Sequence, residues 1–311
     1  MPLVNYIPET FHIGFMRLRH WSFPFSAALS IISVLAFLTL GLNVGIDFKG
    51  GTLIEVQSTS GPANIGAVRD AVGGLNLGEV QIQEFGSNSE LLIRVGSSAE
   101  VQGAAVVERV RAAIGNSYTI RRVEVVGPSV SGELVQQSII ALVLGLLMIM
   151  AYLWFRFEWQ FAVGAIVTTM HDIVLVIGLY SILQLEFDLT AVAAVLTIMG
   201  YSLNDTVVIY DRIRDMLRRY KRMPIAELLD SSVNATVSRT IIVAATTFFA
   251  TLALYIFGGE VLRGFSLSIL FGVVVGTYST VFIAVPVLIY LGLHSRGELA
   301  GAGTKVARPA E

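Results

Sequence analysis

The chain has 311 residues, of which 54% are hydrophobic and 14% are Asp, Glu, Lys or Arg, against about 25% charged residues in an ordinary soluble domain. With a mean hydropathy of +0.72, a soluble enzyme is excluded. The net charge of −2 supplies no basic field for nucleic acid, and the absence of cysteine removes disulfides and thiolate metal sites.

The rest reads in chain order as a membrane protein. A membrane helix needs about 20 mostly apolar residues. After an N-terminal segment, 1–20, the first predicted span is 21–42. Its apolar part is longer than a signal-peptide core and no A-x-A site follows, so it reads as a permanent anchor. Residues 43–135 form a large loop with the pattern of a folded domain. It has a strand over 52–57, a helix over 62–72 ended by Gly73-Gly74, and a hairpin of 79–85 and 90–95 around Gly86-Ser87-Asn88. A helix over 99–114 and a strand over 118–126 follow. The order β-α-β-β-α-β is the ferredoxin-like split pattern.

Residues 136–291 hold five further spans: 136–155, 161–183, 189–210, 240–257 and 264–291. Between the fourth and fifth, 211–238 reads as a basic amphipathic helix, a break at Pro224 and a second short helix. A tail, 292–311, closes the chain. The expected fold is a polytopic α-helical membrane protein of six transmembrane helices, with one α+β domain between helices 1 and 2.

Basic residues set the expected orientation. Arg17 and Arg19 precede span one, Arg156 joins spans two and three, and seven Lys or Arg, from Arg212 to Arg239, lie between spans four and five. Arg296, Lys305 and Arg308 follow span six. The loop near Glu186 and Asp188 has none. Both termini are therefore expected in the cytoplasm, with the large loop extracytoplasmic.

Only two charged residues, Asp172 and Asp205, fall inside the predicted spans. A deep charge costs about 2.5–3.5 kcal/mol or more, so each needs a partner or a function. Asp205 has Asn204, Ser202 and Thr206 beside it, and Arg239 opens span five at a compatible depth. A carboxyl set between burial and a nearby cation can exchange a proton; the alternative is helix packing, with Arg239 at the lipid boundary. Asp172 follows His171. Adjacent helical residues point about 100° apart, so the two are not expected to converge. Relay and packing roles both stand for them. Thr247, among other hydroxyls of spans five and six, could hold water for a path. Gly272 and Gly276 form a G-x-x-x-G packing motif. With His12, His20 and His294 outside the spans, a metal site is not expected. An intramembrane aspartyl protease would need Tyr-Asp and Gly-x-Gly-Asp, and neither aspartate has that neighbourhood.

Several stretches together closely resemble the SecD/SecF family of bacterial protein-export membrane subunits, from about residue 15 to 292. They are Gly45-Ile46-Asp47-Phe48-Lys49-Gly50-Gly51-Thr52, His171-Asp172, Gly200-Tyr201-Ser202-Leu203-Asn204-Asp205-Thr206 running into Tyr210-Asp211-Arg212-Ile213-Arg214, Ser238-Arg239-Thr240, and Phe257-Gly258-Gly259 before Gly264-Phe265-Ser266-Leu267. The resemblance implies a six-helix half of a resistance–nodulation–division-type transporter in the inner membrane, completed to twelve helices by SecD. It implies work beside the SecYEG translocon, with SecA acting indirectly, on an unfolded preprotein. The proton-motive force would drive it, without cofactor or enzymatic chemistry. The family's proton-transport Asp and Arg match Asp205 and Arg239. Gly45, Gly50 and Gly51 read as a hinge from helix to strand, with Asp47 and Lys49 tethering the domain to partner loops. A docking scaffold without proton transport and a proton-coupled small-molecule exporter are the rival readings.

Overall fold

The computed structural model describes residues 13–96 and 103–293. The start of the predicted helix over 99–114, His12, His294 and most of the 292–311 tail lie outside the described residues. Among the described residues six helices are long and apolar enough to cross a membrane.

A 3-10 turn, Phe15–Leu18, leads into α1 (Arg19–Leu40). The short strand β1 (Asn43–Val44) and a single helical turn, α2 (Ile46–Lys49), follow. The domain then runs β2 (Gly51–Ser58), α3 (Ile65–Gly73), β3 (Val80–Phe85), β4 (Ser87–Gly96), α4 (Gly103–Ile114) and β5 (Tyr118–Val126). Its strands form one antiparallel sheet of order β3-β4-β2-β5, with Ile54 opposite both Ile93 and Val123. The predicted β-α-β-β-α-β succession is the one observed. Ile54, Val56, Leu91 and Ile93 point from one face of the sheet into a core with Val68, Val72, Val106 and Val110 of the two helices. Because side chains alternate along a strand, Leu53 and Leu92 point the other way. There they meet Ile46 of α2, so that face is turned toward the membrane helices.

The remaining spans are α5 (Pro128–Arg156), α6 (Trp159–Leu183), α7 (Leu189–Arg219), α8 (Ile225–Phe257) and α9 (Gly259–Ser279). A two-residue strand, β6 (Glu186–Phe187), joins α6 to α7. The sixth span continues from α9 through a π-helical segment, Thr280–Ala284, into α10 (Val285–Tyr290). Helices α6, α7 and α9 are the enclosed members of the bundle, whereas α1, α5 and α8 lie outside them.

Two predicted boundaries change. The segment 211–238 is not a separate pair of helices: α7 runs on to Arg219 and α8 begins at Ile225, with Pro224 between them. Ile209, Ile213 and Met216 continue the buried stripe of α7 onto Leu228, Leu229 and Val233 of α8. Likewise α5 starts at Pro128, whose fixed φ suits the first helical position, so residues 128–135 belong to a membrane helix and not to the domain. Hydropathy marks where a helix enters lipid, not where it begins.

Candidate functional site

The site grows from close helix packing. A Cβ at Gly272 would run into the Ile198 side chain of α7, and one at Gly276 would lie 3.1 Å from Ser202 Cβ. The G-x-x-x-G pair thus brings α9 against α7, the packing role expected of it. That approach assembles a polar cluster around Asp172 of α6, which is 1% exposed. Ser202 Oγ donates to Asp172 Oδ2 at 2.6 Å, and Ser279 Oγ, at the end of α9, donates to the same oxygen at 2.9 Å. One step on, Thr206 Oγ1 donates to Ser202 O and lies 3.0 Å from Thr280 Oγ1.

His171 corrects an expectation. Its Nδ1 lies 3.1 Å from Asp172 Oδ1, so the adjacent pair does converge. The 100° separation applies to the Cα–Cβ bonds; two rotatable side chains with Nδ1 and Oδ1 close to their backbones can close it. The His171 side chain is 8% exposed, and its Nε2 is buried without a hydrogen-bond partner.

Asp205 of α7 lies nearby and is 9% exposed. Thr240 Oγ1 donates to its Oδ1 at 2.8 Å, while Oδ2 is buried with no partner. Among the described residues no ion pair joins Asp205 to Arg239. Arg239 is exposed, because a helix that turns Thr240 toward α7 turns residue 239 about 100° away. Asn204 is likewise exposed beside buried Asp205. Thr247, two turns beyond Thr240, lies beside the Tyr201 hydroxyl, as does Thr277. Of the sequence-predicted residues, Asp172, His171 and Asp205 join the buried clusters, Thr247 flanks them, and Asn204 and Arg239 face outward.

A π segment in the sixth span was not foreseen; Pro286 was its signal. Proline has no N–H for the carbonyl four residues earlier. That acceptor, Phe282 O, instead receives the Ser22 hydroxyl of α1 at 3.0 Å. Tyr210 OH donates to Ala284 O at 2.9 Å. Such π segments are frequent at functional sites, and this one begins at Thr280, directly after Ser279.

The glycine-rich motif forms the junction between domain and bundle. Gly50 has φ +71° and Gly51 φ +140°, conformations that favour glycine. A Cβ at Gly45 would meet Glu186 Oε1 at 2.8 Å. Asp47 Oδ2 accepts from Leu189 N at 3.0 Å, so within the described structure the tether runs to α7 of this same chain. β1 pairs in parallel with β6, and Arg94 of β4 forms an ion pair with Glu186. Burial pushes the Glu186 carboxyl above its ordinary range, opposed by Arg94 and reinforced by Asp188 and Asp47. Sequence reasoning missed the Arg94–Glu186 pair, whose members stand 92 residues apart.

Comparison with known proteins agrees with this architecture. Residues 106–294 match the family described as "Protein export membrane protein SecD/SecF, C-terminal", and residues 35–61 match "SecD/SecF GG Motif". The chain is 42% identical to the protein translocase subunit SecF of Cereibacter sphaeroides, covering 96% of both chains. It is 42% identical to that of Rickettsia felis, covering 91% of this chain and 92% of the relative. Against the SecDF subunit of Brucella abortus it is 41% identical over 95% of its own length, but spans only 39% of that longer protein. The crystal structure of SecDF from Thermus thermophilus, a translocon-associated membrane protein, superposes with a TM-score of 0.83 at 32% identity, covering 92% of this chain and 39% of that one. A buried polar core in a six-helix bundle, a glycine-rich junction and these likenesses converge: the chain is a multi-pass membrane protein belonging to the SecF branch of the SecD/SecF protein-export family.

Proposed function

We propose that this chain pairs with a SecD subunit and uses the proton-motive force to promote and complete preprotein export, with Asp205 as the group that takes up and releases the proton. The observation that carries this reading is the state of Asp205: buried in a membrane helix, one oxygen on Thr240, the other unpartnered, and Arg239 near but, among the described residues, in no ion pair with it. A carboxyl so placed is tolerated neutral, and ionised only when a cation or water is brought to it. Arg239, one position before Thr240 and turned outward, is the cation that a shift of α8 against α7 would bring. One charge crossing 100 mV yields about 2.3 kcal/mol, a bias of about fifty-fold on a two-state packing.

The partner reading rests on what the bundle leaves open. Ala193, Thr197, Gly200 and Asn204 form one exposed stripe on α7, small or polar and ill suited to lipid. The SecDF relatives carry, in one chain, more than twice this chain's length. By the distribution of basic residues, both termini are cytoplasmic and the domain is on the outer face of the inner membrane. SecYEG, with SecA indirectly, and an unfolded preprotein complete the assembly; the chain is a transport subunit and not an enzyme.

Preprotein import into inverted membrane vesicles tests the reading. Wild type gains from an imposed proton-motive force; Asp205→Asn loses that gain while ATP-driven import without the force is unchanged, and Asp205→Glu retains part of it. Full stimulation in Asp205→Asn would refute the proposal and favour a docking scaffold.

A further inference from the structure

Asp172 is held from three directions, and the arrangement assigns the proton on His171. A carboxylate accepts hydrogen bonds and does not donate them. Ser202 and Ser279 both donate to Oδ2, which leaves Oδ1 to His171 Nδ1. An Nδ1–H donating to Oδ1 fixes that tautomer of the imidazole and leaves the lone pair on Nε2. Nε2 is the buried atom with no partner.

The pair in this form carries one negative charge, and among the described residues no ion pair with Lys or Arg cancels it. α1 has no charged residue from 21 to 40, α5 none from 137 to 155, and the sixth span none from 264 to 290. On α6 itself, His171 and Asp172 are the ionisable groups inside the membrane besides Tyr180, whose hydroxyl is engaged by Ser268. Over 189–210, α7 contributes one carboxyl, Asp205, and the phenols Tyr201 and Tyr210; over 239–257, α8 contributes the exposed Arg239 and the phenol Tyr255, and the phenols of α1, α5 and the sixth span are Tyr152, Tyr278 and Tyr290. Among the described residues no Lys or Arg forms an ion pair with Asp172.

We infer that His171 Nε2 is a second proton-binding position in the membrane core, separate from Asp205. One proton from water forms an N–H bond at Nε2, and the pair passes from one negative charge to none. The same proton returns to water when that bond breaks, with no other bond made or lost. Asp172 is the positioning residue, fixing tautomer and ring, and Ser202 and Ser279 hold Asp172. Ser202 precedes Asp205 by three residues on α7, about 4.5 Å along the axis, which sets this position on the domain-bearing side of Asp205. Its use in transport rests on the proton-coupled reading above; the protonation itself does not.

Solid-state 15N NMR of the full chain in lipid bilayers, labelled at histidine, reads both ring nitrogens, and His171→Gln assigns the signal by its loss. The expected result is a ring protonated at Nδ1 and bare at Nε2 in alkaline buffer, which gains a second proton at Nε2 on acidification. Asp172→Asn lowers the doubly protonated population about tenfold or more, since it removes the opposite charge. Asp205→Asn leaves the conversion in place. A ring protonated at Nε2 alone, or one that never gains the second proton, overturns the inference, and the wild-type spectrum decides this even if Asp172→Asn does not insert. The two proposals fail separately: His171 can convert while Asp205→Asn vesicles keep their stimulation, or stay fixed while they lose it.

Discussion

Asp47, in the turn after α1, accepts a hydrogen bond at 3.0 Å from the backbone N–H of Leu189, the first residue of α7. Asp188 caps the same helix by accepting from Ala191 N at 2.8 Å. Two carboxylates therefore satisfy N–H groups that a helix start leaves open, and both suit its positive end. The helix so anchored to the domain junction is the one that carries Asp205. Asp47→Ala should cost about 1 kcal/mol of stability, as the loss of a cap does, and should broaden the distance distribution between spin labels on the domain and on α7. An unchanged distribution would mean that β1–β6 pairing alone fixes the junction.

The Glu186 carboxyl gives this junction a pH dependence. Burial raises it above its usual value against the pull of Arg94. The folded chain then holds more protons than the unfolded chain from about pH 4.3, the ordinary glutamate value, up to the raised value. This contribution is fully present below that window and is lost as pH rises through it. Thermal unfolding across the window should show wild type falling relative to Glu186→Gln as pH rises. Arg94→Met, which removes the opposing cation, should steepen the fall.

Two glycines, Gly276 inside the α7–α9 contact and Gly200 on the exposed stripe of α7, should behave oppositely. Gly276→Val forces a side chain onto Ser202, the residue that holds Asp172, and should cost about 1–3 kcal/mol by overpacking. Gly200 has no atom within 4 Å of a built Cβ. Gly200→Leu should leave the isolated chain's melting temperature unchanged yet reduce its co-purification with a SecD partner.

Ser22 compensates for Pro286. Ser22→Ala removes the hydroxyl donor to Phe282 O and should cost about 1–3 kcal/mol. In a Pro286→Ala background the restored N–H supplies the donor, and the same serine substitution should cost markedly less. A double-mutant cycle of melting temperatures reads the coupling directly.

Legibility divides along physical lines. The six spans were legible because lipid demands long apolar runs, and the domain's element order because turn residues punctuate it. Asp172 and Asp205 stood out as charges in apolar surroundings. Their partners did not, because a hydroxyl on a helix commonly bonds its own backbone. Thr168 and Thr169, Asp172's near neighbours in sequence, donate to Gly164 O and Ala165 O. The hydroxyls that reach Asp172 come from 30 and 107 residues away. Arg239 matched Asp205 in depth, but depth does not fix which way a side chain faces, and Thr240 holds the contact.

Proton movement measured in liposomes is the direct test of the central claim. The chain, reconstituted with its SecD partner and a pH-sensitive dye inside, is placed under an imposed proton gradient. The account predicts inward proton flux in wild type and its loss in Asp205→Asn, with equal protein incorporation. Equal flux in the two proteins would contradict it.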